Sequence, residues 1–101
     1  MYIENISAKE LRQYIYDRKY EIIDLRDLAQ YRQAHVVNSV HIASEDIFSE
    51  HLEKVTKKSV ILYCDRGNLS MQAARELQEH GYRAISVVGG IQAYRGRYLE
   101  R

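Results

Sequence analysis

The chain has 101 residues, 46% of them apolar and 29% charged, with 15 basic against 14 acidic side chains and a formal charge of +1. That length suits one compact domain over residues 1–101, and the composition excludes an intrinsically disordered chain. Charges of both signs are interleaved and no apolar run reaches the length of a membrane span, so neither nucleic acid nor a membrane is an expected partner.

The first residues, Met1-Tyr2-Ile3-Glu4-Asn5, lack the basic and apolar regions of a secretory leader, and the expected location is cytoplasmic. Ser7-Ala8-Lys9-Glu10 has the spacing of a capping box, and Leu11, Tyr14 and Ile15 recur at helical intervals, which predicts a helix over 7–17. Glu21–Leu25 is short and β-branched and reads as a strand, after which Asp27 caps a helix through about Ala34. Val36–Ile42 reads as another short strand, and Ser44 opens a helical stretch carrying Ile47, Phe48 and Leu52. Ser59–Tyr63 is almost wholly apolar, as a strand covered on both faces must be, and is the expected centre of the sheet. Met71, Ala74, Leu77 and Gln78 set out a helix over Ser70–His80, which Gly81 ends as a left-handed cap. Ala84–Val88 is the last strand, followed by Gly89-Gly90 and a final helix with Ile91, Tyr94 and Tyr98. Strands alternating with helices predict βα units around a mostly parallel sheet, whose ligands gather at the carboxyl ends of the strands.

Cys64, the one cysteine, stands at such an end, between the apolar run and the polar turn Asp65-Arg66-Gly67-Asn68. A helix beginning near Leu69 or Ser70 directs its free N–H groups back at this turn, where they favour an anionic, reactive sulfur. Gly67 permits a positive φ, which lets successive amides converge on an anion, and Arg66 adds a formal positive charge. The competing reading is an inert strand-end thiol, a small buried hydrophobe before an ordinary turn. The loop alone leaves both open. One cysteine cannot form an internal disulfide or a multi-cysteine zinc site, and no histidine–carboxylate spacing has the form of a metal site, so neither a metal nor a cofactor is expected.

Four segments, in order, carry a family resemblance. Ile22-Ile23-Asp24-Leu25-Arg26 followed by Tyr31 is similar to the "IDVR…EY" stretch of rhodanese-like domains, and His35-Val36-Val37-Asn38-Ser39-Val40-His41-Ile42 to their "GHIPGAxxIP". Tyr63-Cys64-Asp65-Arg66-Gly67-Asn68-Leu69-Ser70 resembles the "YCxxGxRS" active loop, and Val88-Gly89-Gly90-Ile91-Gln92-Ala93-Tyr94 resembles "LxGGxxAW". The resemblance implies an α/β, rhodanese-like three-layer fold with about five mainly parallel strands flanked by helices. It also implies a sulfurtransferase of the thiosulfate type. Cys64 would take sulfane sulfur from a small donor anion, thiosulfate or a persulfide or polysulfide, and hold it as a persulfide. It would then pass the sulfur to cyanide or a thiol, a protein thiol included. Asp65, Arg66, Gly67, Asn68, Leu69 and Ser70 would form the substrate cradle, with Arg66 as a donor-anion contact. The alternative within the family is a weakly active or non-catalytic interaction module.

Several positions depart from the family pattern. Leu69 stands where the active loop often carries arginine, so a donor-binding charge is missing. Related phosphatases need a Cys-x5-Arg loop, and that place is Ser70 here, which leaves no guanidinium to fork onto phosphate. Val37 and Ala43 replace prolines and Asn38 a glycine, all at scaffold positions. Asp24 and Arg26 are expected to pair structurally, His35 to pack or hydrogen-bond, and His41, His51 and His80 to be surface or capping groups. Tyr2, Tyr14, Tyr20 and Tyr31 are expected to cover core edges, and Gly89-Gly90 to form a turn that can lie near the Cys64 loop.

Overall fold

Parallel strands need cover on both faces, and the apolar segments of this chain are placed to receive it. The computed structural model describes residues 2–48, 52–94 and 99–100. Its strands are β1 (Glu4–Ser7), β2 (Tyr20–Asp24), β3 (His35–Val36), β4 (Ser39–His41), β5 (Ser59–Tyr63), β6 (Arg83–Val88) and β7 (Leu99–Glu100). Five of them form one sheet in the order β1-β6-β5-β2-β4 with every pairing parallel, while β3 and β7 pair antiparallel apart from it. β5 is the central strand, as its unbroken apolar run predicts.

Alternation along the strands divides the core in two. Ile23, Val60 and Leu62 face Ile47 of α2 (Ser44–Phe48) and Ala73, Ala74 and Leu77 of α3 (Asn68–Glu79). Ile22, Ile61 and Ile85 align across three strands and face the other way, against Leu11, Ile15 and Tyr94. Each fully buried aliphatic side chain of this kind contributes about 1.5–3 kcal/mol.

The local signals and the observed elements part at four places. The Ser7–Glu10 capping box forms, with the Ser7 N–H donating to Glu10 Oε1 at 3.0 Å and the Glu10 N–H to Ser7 Oγ at 3.1 Å. It starts only a short 3₁₀ turn, Glu10–Tyr14, in place of the helix expected over 7–17, and Ser7 is the last residue of a strand, Glu4–Ser7. The open edge of β6 decides this, because β1 pairs with it in register and buries Ile6. Val36–Ile42 is not one strand but two, broken where Asn38 takes a left-handed φ of 67° and its Nδ2 donates to the Ile15 carbonyl at 2.9 Å. The stretch from Ser44 likewise divides into α2 and a 3₁₀ turn at Leu52–Lys54. The expected final helix is a 3₁₀ turn, Gly90–Ala93, after which Tyr94 is extended. Tyr98 and His51 lie outside the described residues. Tyr14 and Tyr20 meet edge to face at 4.9 Å beside the second core, but Tyr2 is 79% exposed and covers little.

The carboxyl ends of β2 and β5 are joined by a buried polar network. Asp24 is fully buried, and Arg26 donates to it through Nε at 3.1 Å, Nη2 at 2.8 Å and its backbone N–H at 2.8 Å. Arg26 Nη2 also donates to the Ala34 carbonyl at 2.6 Å, so this pair is structural, as expected. Tyr63 donates its hydroxyl to Asp24 Oδ2 at 2.6 Å and accepts the Val36 N–H at 3.1 Å. Burial and then the adjacent Asp24 charge push the Tyr63 phenol far up, so it stays a donor at all ordinary pH. Tyr63→Phe removes a charge-assisted bond and orphans the Val36 N–H, and we expect a loss of about 2–3 kcal/mol in urea unfolding. A loss below about 0.5 kcal/mol would show that the network adds nothing to stability.

Candidate active site

Cys64 follows the last residue of the central strand, and the chain then turns sharply into α3. Gly67 makes that turn with φ 101°, and a Cβ there would lie 3.0 Å from the Gly89 nitrogen, so both the dihedral and the space call for glycine. The turn brings the Gly67 N–H to 3.1 Å and the Ser70 N–H to 3.4 Å from Cys64 Sγ. Ser70 holds this arrangement from beneath: its buried Oγ donates to the Gly67 carbonyl at 3.0 Å and lies 2.8 Å from Ser86 Oγ on β6. Peptide hydrogens and the positive end of α3 thus converge on one sulfur, an environment that stabilises it as an anion.

The turn after β6 clamps the same loop from the side. The Ile91 N–H donates to the Cys64 carbonyl at 2.9 Å, the Gln92 N–H to the Asp65 carbonyl at 3.2 Å, and Gln92 Nε2 to Asp65 Oδ1 at 2.9 Å. Gly90 lies flat against these carbonyls, with a φ of 59°. A Cβ on it would strike the Cys64 oxygen and stand 2.7 Å from the carbonyl atoms of Asp65.

Cys64 is 5% exposed and reaches solvent at the floor of an open cavity of about 310 Å³. Of the residues expected in the cradle, Asp65, Arg66, Asn68 and Leu69 line this cavity with it, whereas Gly67 and Ser70 act through their amides. Arg66 is exposed, and its guanidinium has no partner among the described residues. Leu25, Arg26, Asp27, Gln30 and Ser44 complete the wall. Their position just after β2 and at the start of α2 was the available sequence signal for them, since ligands gather at strand carboxyl ends. For the Ile91 and Gln92 clamp there was only the glycine pair that precedes it.

Among the described residues no histidine stands as a base beside the thiol. His35 is buried, stacked on Tyr31 at 3.8 Å between ring centres, with Nδ1 2.7 Å from the Tyr31 carbonyl oxygen. His41 is half-buried, not a surface group, with Nε2 2.6 Å from the Arg26 carbonyl oxygen, and His80 Nδ1 lies 2.9 Å from that of Glu76 where α3 ends. Among the described residues no cluster of His, Cys, Asp and Glu is placed to hold a metal, and no helix is long and apolar enough to cross a membrane.

A family model described as the rhodanese-like domain matches residues 7–97. The chain belongs to this family. It is 30% identical over 100 residues to the thiosulfate sulfurtransferase GlpE of Coxiella burnetii, a match covering 97% of this chain and 92% of that protein. It is 35% identical over 74 residues to a tRNA sulfurtransferase of Desulfurococcus amylolyticus, covering 73% of this chain but 14% of that longer protein. The crystal structure of a rhodanese-like domain protein from Staphylococcus aureus superposes with a TM-score of 0.83 at 22% identity, covering 97% of each chain, and so shares the fold.

The rhodanese-like loop depends on Gly90 being without a side chain. Gly90→Ala must displace the Cys64 loop, and we expect a cost of about 2 kcal/mol or more in thermal or urea unfolding. Alkylation of Cys64 by iodoacetamide should slow in parallel, because the amides no longer meet the sulfur. A variant with unchanged stability and alkylation rate would refute the clamp.

Proposed function

We propose that the chain is a sulfurtransferase that carries sulfane sulfur as a persulfide on Cys64. The observation that supports this best is one sulfur that accepts two loop amides and opens on a cavity at the carboxyl edge of a parallel sheet. Family membership and the names of its relatives agree with it.

In the first half-reaction the Cys64 thiolate attacks the sulfane sulfur of a donor, thiosulfate or a persulfide or polysulfide. A new Sγ–S bond forms as the donor's S–S bond breaks, and the electron pair leaves on sulfite or on the released thiolate. The outer sulfur then carries the negative charge, and the amides from Asp65 to Ser70 are the groups available to stabilise it. In the second half-reaction cyanide or a thiolate, a protein thiolate included, attacks that sulfur and the electron pair of the breaking bond returns to Sγ. No base is needed, because no proton moves at the sulfur. Asp65, Arg66, Asn68 and Leu69 would contact the substrate, with Arg66 meeting a donor anion. A free thiol with this role fits a reducing compartment such as the cytoplasm.

Intact-mass measurement tests the proposal. After incubation with thiosulfate or an inorganic polysulfide and removal of the excess, Cys64 should gain one sulfur, and cyanide should remove it as thiocyanate. Cys64→Ser should gain none. Absence of the adduct with every donor would reassign the fold to binding without transfer.

A further inference from the structure

The charges around the Cys64 cavity do not suit a small dianion. Two cationic and two anionic side chains line it, Arg26 and Arg66 against Asp27 and Asp65. The Arg26 side chain is 9% exposed and its charge is cancelled by the fully buried Asp24, which leaves only Nη1 without a partner among the described residues. Arg66 is the one lining cation left uncancelled, and it is exposed. Asp65 is fixed by Gln92 Nε2, and Asp27 is exposed at the start of α1 (Leu28–Gln33). An incoming donor therefore meets two carboxylates beside the Cys64 sulfur, opposed by one exposed guanidinium and the loop amides. Leu25 and Leu69 are apolar parts of the wall, Leu25 within the core cluster that contains Cys64 and Leu69, partly buried, packed against it. Like charges in a partly desolvated site repel more strongly than in water, and the second charge of a dianion has nothing to meet it.

We infer that the cavity takes its sulfur from an organic sulfane donor with one negative charge and an apolar body, in preference to dianionic thiosulfate, and that Leu69 and Asp27 set this preference. The inference rests on the sulfur-transfer reading of Cys64. For a thiosulfonate probe the step balances without any oxidant or reductant. The Cys64 thiolate attacks the terminal sulfur, the Sγ–S bond forms while the donor's S–S bond breaks, and the sulfinate leaves with the electron pair.

The test compares benzenethiosulfonate, a monoanion, with thiosulfate, using cyanide as acceptor and thiocyanate as readout. The wild-type protein should favour benzenethiosulfonate by about tenfold or more in kcat/KM. Because the two donors differ in intrinsic reactivity, the variants decide. Leu69→Arg should move the ratio about tenfold toward thiosulfate, mostly through the thiosulfate KM. Asp27→Asn keeps a good helix cap and should move it the same way by about threefold. Leu69→Ala adds no charge and should weaken use of benzenethiosulfonate without improving that of thiosulfate. A ratio near one in the wild type, or one unmoved in both folded charge variants, overturns the inference and leaves sulfur transfer standing. Transfer from neither donor, with no adduct on Cys64, overturns the sulfur-transfer reading and this inference with it.

Discussion

The carbonyl groups of Cys64 and Asp65 are taken by the N–H groups of Ile91 and Gln92, and the chemistry of the loop follows from that. A tight turn contains as many acceptors as donors, and its amides can converge on an anion only if its carbonyls find partners elsewhere. Here the turn after β6 takes them, and it comes close enough because Gly90 has no side chain. The Gly67 and Ser70 amides are thereby left to the sulfur. Two neighbouring strand-to-helix connections thus build one site, and Ser70 bonded to Ser86 ties them together a second time, beneath the loop.

Side-chain charge plays a secondary part at this rim. The Asp24–Arg26 pair faces inward to Tyr63, the Ala34 carbonyl and the backbone, and what it does is hold the ends of β2 and β5 beside each other. His35 is committed to stacking on Tyr31. The field at Cys64 comes chiefly from oriented peptide groups, which are rigid and need no change of protonation. Under the proposed transfer reaction, that suits a sulfur that carries negative charge first as a thiolate and then, one atom further out, as a persulfide. It also leaves the outer wall free to vary, which is what the proposed tuning of donor choice by Leu69 and Asp27 requires.

The elements that could be read from the chain are those whose signal is local. The unbroken apolar run of Ser59–Tyr63 identified a strand buried on both faces, and it is the middle of the sheet. Gly81 ended α3 where expected, with φ 87° and its N–H on the Gln78 carbonyl at 3.1 Å. Cys64 before a glycine-containing turn and a helix was enough to place a thiol at the amino end of α3. Ser7–Glu10 misled because its capping box is real but leads only into a short 3₁₀ turn, while Ser7 itself ends a strand paired with β6, some eighty positions away in the sequence.

By itself the sequence determined the alternation of strands and helices, the central strand and the place of the one thiol, because periodicity, apolar runs and turn residues act over a few positions. Tertiary structure alone decided that residues 4–7 are an edge strand, that Gly90 presses against the Cys64 carbonyl, and that Asp27 and Leu69 share a wall with the thiol. Each of those depends on groups brought together from different crossings of the sheet. Such contacts leave no pattern in the order of residues, since what selects them is the shape and hydrogen-bonding need of a partner far along the chain.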